Sequence, residues 1–146
     1  MSRIADIADA LVEELNGSSF SQAFTAVRST LPRMKREELG DTLWVSVIPG
    51  DWTTEMETRT EWKESHPVTV FFQKGLQQGI AEEQGEVDAL VDLIEEVAGH
   101  CKGLILSVGD ARAVCTAMKV LACEPNDLTV YRAFTGALML TFTLSG

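Results

Sequence analysis

Val130-Tyr131-Arg132-Ala133-Phe134-Thr135-Gly136-Ala137-Leu138-Met139-Leu140-Thr141-Phe142-Thr143-Leu144 is the run on which the fold turns. Its even positions Phe134, Leu138, Leu140, Phe142 and Leu144 are apolar, while Thr135, Thr141 and Thr143 occupy odd ones. Period-two alternation of this kind marks a half-buried antiparallel strand, because successive side chains point to opposite faces of a sheet. A second strand-like run, Ala113 to Ala122, precedes it across the polar break Glu124-Pro125-Asn126-Asp127. The sequence stops two residues after Leu144, so the expectation is a terminus set in the core sheet, with no tail beyond it.

The 146 residues suit a single domain spanning 1–146, which buries roughly 70% of its unfolded surface and forms a core without staples. Cys101, Cys115 and Cys123 are odd in number and form no C-x-x-C pair. On one continuous strand Cys115 and Cys123 stand roughly 26 Å apart at ~3.3 Å per residue, beyond disulfide reach. Reduced, buried thiols and a cytosolic setting are expected. The start, Met1-Ser2-Arg3-Ile4-Ala5-Asp6, has no apolar signal core, and no apolar run approaches the ~18 residues of a membrane span, so a soluble, unexported protein is expected.

Twelve basic against twenty-two acidic residues give a formal charge of −10, which disfavours binding to a phosphate backbone. The basic group Arg33, Lys35 and Arg36 runs straight into Glu37 and Glu38 and reads as a solvated loop. Acidity concentrates in Glu82, Glu83, Glu86, Asp88, Asp92, Glu95 and Glu96, with no basic residue between Ala81 and Glu96. That stretch forms a face of strong negative potential.

Ile4, Ile7, Ala8, Leu11, Val12 and Leu15 recur at helical spacing and predict an amphipathic helix ending near Asn16-Gly17. Alternation from Phe20 to Leu31 predicts a strand stopped by Pro32, followed by a loop over Arg33 to Asp41. Leu43-Trp44-Val45-Ser46-Val47-Ile48, closed by Pro49-Gly50, is the clearest strand of the first half. From Asp51 to Pro67 the chain is polar yet carries two tryptophans and many threonines, the pattern of a long hairpin arm, and Val68 to Phe72 returns to the core. Gly75 to Gly85 reads as a loop. A second helix then buries Val87, Leu90, Val91, Ile94, Val97 and Ala98 and ends at Gly99 or Gly103, and Leu104-Ile105-Leu106 reads as a short edge strand before Gly109-Asp110. Together these predict an α+β, two-layer sandwich, with two main helices on one face of a mainly antiparallel sheet and a projecting β-hairpin.

Dinucleotide, P-loop, nucleophile-elbow and H-E-x-x-H signatures are all absent. His66 and His100 are the only imidazoles, and His100 beside Cys101 reads as a surface or capping residue at a helix C-terminus. Glu57 with Glu61 and Glu82 with Glu86 have the i, i+4 spacing of a cation or acid–base pair, a spacing that is commonplace on exposed surfaces. No catalytic, cofactor or metal residue is therefore assigned. The arm is more telling: Trp52 and Trp62, with Thr54, Met56, Thr58 and Thr60, give large aromatics and two-sided exposure that favour an interface. Both rings folding back on the core is the competing reading.

The succession Ala113-Val114-Cys115-Thr116, Glu124-Pro125-Asn126-Asp127-Leu128 and Tyr131-Arg132-Ala133-Phe134-Thr135-Gly136-Ala137-Leu138-Met139-Leu140-Thr141-Phe142 resembles small tail-completion proteins of long-tailed phages, the tail terminator and head–tail joining family. The resemblance implies a non-enzymatic virion protein of a phage or prophage, found in the virion and in the host cytoplasm during assembly. It further implies a homohexameric ring that caps the tail tube and meets the tail-tube protein and the head connector or stopper, without membrane or sequence-specific nucleic-acid binding. The carboxylate-rich helix would then form an acidic lumen or surface face past which DNA slides. The long Gly75 to Gly85 connection and the Cys- and Met-bearing penultimate strand depart from the family pattern. A small-ligand or peptide-binding regulatory module is the main alternative, and an enzyme using Glu57/Glu61 or His66/Cys101 a third.

Overall fold

The computed structural model describes residues 3–30, 42–50, 53–56, 62–76, 80–109, 111–121 and 133–145. Ile4, Ile7, Ala8, Leu11 and Leu15 form the buried stripe of helix α1 (Arg3–Asn16), which ends where the Gly17 N–H donates to the Glu13 carbonyl at 2.9 Å. Strand β1 (Ala26–Arg28) follows, then β2 (Trp44–Pro49), β3 (Thr53–Met56), β4 (Trp62–Gly75), helix α2 (Ile80–Cys101), β5 (Ile105–Val108), β6 (Ala111–Leu121) and β7 (Ala133–Ser145).

The strands join in one sheet of order β1-β2-β4-β7-β6-β5, with β3 pairing the first part of β4. Register is set by apolar residues that must share the core side. Val47, Val70 and Leu138 stand in one row across β2, β4 and β7, and Val68 lies opposite Leu140. All of these are fully buried, as are Phe72, Phe134 and Phe142. A one-residue slip would turn the whole set outward, so the pattern fixes the pairing.

A two-layer sandwich with two main helices packed on one face of a mainly antiparallel sheet is not the architecture. The sheet is mixed, because β1 runs parallel to β2 while the other neighbours are antiparallel, and it curls into a half-barrel. Helix α1 packs against β1 and β2 at one edge, against β4 near the middle, and against β5 at the opposite edge. A flat sheet of this order would span roughly 24 Å from β1 to β5 at ~4.8 Å per strand, twice the width of a helix. The curl of the sheet brings both edges to α1. The twist of long strands and the β-bulge between Cys115 and Ala117 supply the curvature. Helix α2 lies against β6 and β7 through Leu90, Leu93, Ile94, Val97, Ala98 and Cys101.

Two predicted boundaries change. Only Ala26–Arg28 of the expected strand from Phe20 to Leu31 pairs in the sheet; Leu31 itself is outside the described residues. Phe20 and Phe24 instead stack on each other at 5.7 Å, with Phe20 edge-on to His100 and Phe24 edge-on to Phe72. Alternation here served an aromatic plug set against His100 of α2 and Phe72 of β4. Part of the expected Gly75 to Gly85 loop is also helical, since α2 begins at Ile80.

Candidate functional site

Two surfaces gather the residues that the sequence singled out, and a third comes from the sheet topology. The first is the arm. Register continues from β2 into β3 along the same side of β4: Pro49 faces Val68, the Gly50 N–H donates to the Pro67 carbonyl at 2.8 Å, and Thr53 faces Ser65. A Cβ on Gly50 would lie 3.2 Å from the Pro67 ring, so glycine suits this close approach. Trp62 and Lys63 run past the last register pair of β4 with β7, Glu64 with Leu144, and their described partners are Met56 and Glu55 of β3. Thr54 is exposed, and Met56 is 60% exposed, the most of any large apolar residue described. Trp52, Thr58 and Thr60 lie outside the described residues, and Trp62 is fixed as a strand position only.

The second surface is the acidic side of α2. Asp88, Asp92 and Glu95 follow one another at four and three residues and are exposed, as is Glu96, while the buried stripe lies opposite. Two of the predicted carboxylates have other duties. Glu86 pairs with Lys74 of β4 at 3.1 Å, and Glu96 accepts from the Ser21 N–H at 3.0 Å and from the Ser21 hydroxyl. These contacts tie the Phe20–Phe24 plug and β4 to α2, so the outward acidic stripe narrows to Asp88, Asp92 and Glu95. Glu82 and Glu83 belong to α2 by position. With Glu86 held by Lys74, the pairing of Glu82 with Glu86 as a cation site loses one ligand.

The third surface was not read from the sequence. β5 pairs with β6 only as far as Ile105 opposite Val114, with the Cys115 N–H donating to the Leu104 carbonyl at 2.9 Å. Past the bulge, Ala117–Leu121 pairs with β7 on one side and has no partner on the other among the described residues. Val120 and Leu121, on opposite faces of that edge, are 43% and 38% exposed, and Met139 beside Lys119 is exposed too. The available signal was Met139, which stands where the alternation of the closing run calls for a threonine, and the run Met118-Lys119-Val120-Leu121, which is apolar on both faces.

Side chains with catalytic potential are otherwise engaged. His100 lies in the last turn of α2, where its Nε2 meets Glu14 Oε2 at 2.7 Å and Ser18 Oγ at 3.3 Å. A nucleophile relay needs acid and hydroxyl on opposite ring nitrogens, and here both meet the same one. The group is a clasp between α1 and α2. His66 is buried on β4, with Nε2 3.1 Å from Glu64 Oε1. Burial pushes the Cys101 thiol up to about 12, with neighbouring Cys115 and Glu14 acting in the same direction, so it is protonated and a poor nucleophile at neutral pH. Burial also raises the Cys115 thiol, opposed by a hydrogen bond with the backbone of Ala117. Glu57, Glu61, Cys123 and the basic group Arg33, Lys35 and Arg36 lie outside the described residues.

Among the described residues no group of His, Cys, Asp and Glu is placed to hold a metal ion, and no helix is long and apolar enough to cross a membrane. No protein-family model matches the chain, and no curated protein matches it.

Proposed function

We propose that this chain is a ring-forming structural subunit of a phage or prophage virion, a tail terminator or head–tail joining protein that caps the tail tube and mediates attachment to the head. One observation carries the reading: among the described residues the sheet has two unpaired edges on opposite sides, β3 with exposed Met56 on one and Ala117–Leu121 of β6 with exposed Val120 and Leu121 on the other. A long apolar edge in a protein that acts alone invites aggregation, and natural sheets blunt such edges with charge, proline or cover. Lys119 is the only charge on this one. Two different edges on one subunit make a head-to-tail contact, which closes into a ring when the rotation between copies allows. The acidic stripe Asp88, Asp92 and Glu95 suits a surface past which a polyanion moves without sticking.

Light scattering on the size-fractionated chain tests the reading, followed by negative-stain microscopy. The expected species is a ring of six 16.0 kDa copies, six times 16.0 or about 96 kDa, alone or on addition of tail-tube protein. A strict monomer at high concentration under both conditions overturns it. Trp52→Ala with Trp62→Ala is expected to abolish assembly and leave a folded monomer; an unfolded double variant would return both rings to the core.

A further inference from the structure

We propose that the open edge of β6 receives β3 of a second copy of this chain, so that the sheet of one subunit continues into the next. The proposal deepens the ring reading and rests on it. Facing and register carry the argument. Past the bulge, Ala117, Lys119 and Leu121 pair with Thr141, Met139 and Ala137, on the face opposite the buried Leu138, Leu140 and Phe142. Met118 and Val120 pair with Leu140 and Leu138, so they belong to the helix-bearing face. On the arm, Thr53 and Glu55 pair with Ser65 and Lys63, whereas Met56 pairs with Trp62, two positions from Glu64 and four from buried His66 on the helix-bearing face.

When the two edges are laid side by side with these faces kept common, the one charge of β3 meets the one charge of the β6 edge. Setting the Glu55 position against Lys119 brings the one acidic position of β3 opposite the one basic position of the β6 edge. Opposite charges directly across a strand pair stabilise it, and like charges there destabilise it. The same register puts exposed Met56 beside Val120 if the strands run parallel, and beside Met118 if they run antiparallel. Either way an exposed apolar residue of the arm covers the apolar side of the edge, while main-chain hydrogen bonds supply a contact that needs no deep pocket. Because faces are conserved from copy to copy, the same step can repeat around one axis.

The test uses the full chain carrying Met56→Cys with Val120→Cys, or Met56→Cys with Met118→Cys, treated with a short bis-maleimide and run on a denaturing gel. The expected result is a ladder of bands up to six copies for one of the two pairs, and no ladder for the single-cysteine variants or for the parent chain, which controls for its own thiols. The pair that ladders also reports the strand direction. Lys119→Glu, an exposed position, provides a second route: assembly should weaken about tenfold or more, because like charges then occupy opposed strand positions, with the melting temperature unchanged. If the parent chain assembles but neither pair ladders and Lys119→Glu assembles normally, the arm-to-edge join is wrong and the ring stands. If the parent chain is monomeric alone and with tail-tube protein, the ring reading falls and this inference with it.

Discussion

Asn16 is the residue at which helix propensity gives way to sheet building. Its Oδ1 accepts the Ala26 N–H at 2.7 Å and its Nδ2 donates to the Ala26 carbonyl at 3.0 Å, so one side chain closes α1 and holds the first residue of β1. Asn16→Ala is expected to lower stability by about 1–3 kcal/mol in urea denaturation, the cost of leaving two main-chain groups unmatched. An unchanged midpoint would mean that water replaces the amide in full. The sequence marked Asn16 as a helix end through Asn16-Gly17, but its second partner, ten residues away, has no local signature. Cys101 makes a different residue-scale prediction. Its folded-state thiol is raised from 9.0 to about 12 by burial. Below pH 9 both folded and unfolded thiols hold their proton, so the group adds no pH dependence. Between pH 9 and 12 the unfolded thiol ionises and the folded one does not, so stability falls by about 1.4 kcal/mol per pH unit. Thermal melts at pH 8 and pH 10.5 should show a smaller alkaline loss for Cys101→Val than for the parent chain.

At the scale of elements, legibility followed how locally each one is specified. β7 was readable because Phe134, Leu138, Leu140 and Phe142 each report the same buried face, and all four are fully buried. α1 was readable for the equivalent helical reason. The segment holding Phe20 and Phe24 was misread because its alternation came from residues that pack on each other and on His100 and Phe72, contacts made across the fold. In α2 the sequence located the acidic face but not its division of labour: Glu86 is taken by Lys74 and Glu96 by Ser21. That division gives a prediction. Asp88→Lys with Asp92→Lys and Glu95→Lys changes only exposed positions, so melting should shift by no more than the equivalent of about 0.5 kcal/mol. If the stripe faces passing DNA, the same variant should acquire salt-sensitive retention of duplex DNA that the parent chain lacks, read by a mobility shift at two salt concentrations. Retention by the parent chain as well would remove the electrostatic argument for this face.

For the whole molecule, the curl and the open edges are the features that no local pattern encodes. Curvature shows in α1 meeting both β1 and β5 at once, and the free stretch of β6 follows from β5 beginning only at Ile105, opposite Val114. Both arise from long-range pairing, which is why the sequence suggested a flatter sandwich. The same division separates what folds the chain from what would assemble it. The rows Val47, Val70, Leu138 and Val68, Leu140 hold the core, and β2 already meets β4 from Val68 to Gln73 without help from β3. The arm contributes no buried apolar residue among those described. Replacing residues 53–63 with a short glycine-rich turn should therefore leave a folded chain, because Gly50 and Pro67 already bring the two strands together at the base of the arm. Phe142→Ala serves as the contrast: it empties a fully buried site and should cost about 3–5 kcal/mol. The two variants are expected to separate cleanly, the first losing assembly by light scattering while keeping its unfolding midpoint, the second losing its midpoint whatever its state of assembly. Unfolding of the arm-less chain would show instead that β3 belongs to the core, and the two open edges would then no longer argue for a ring.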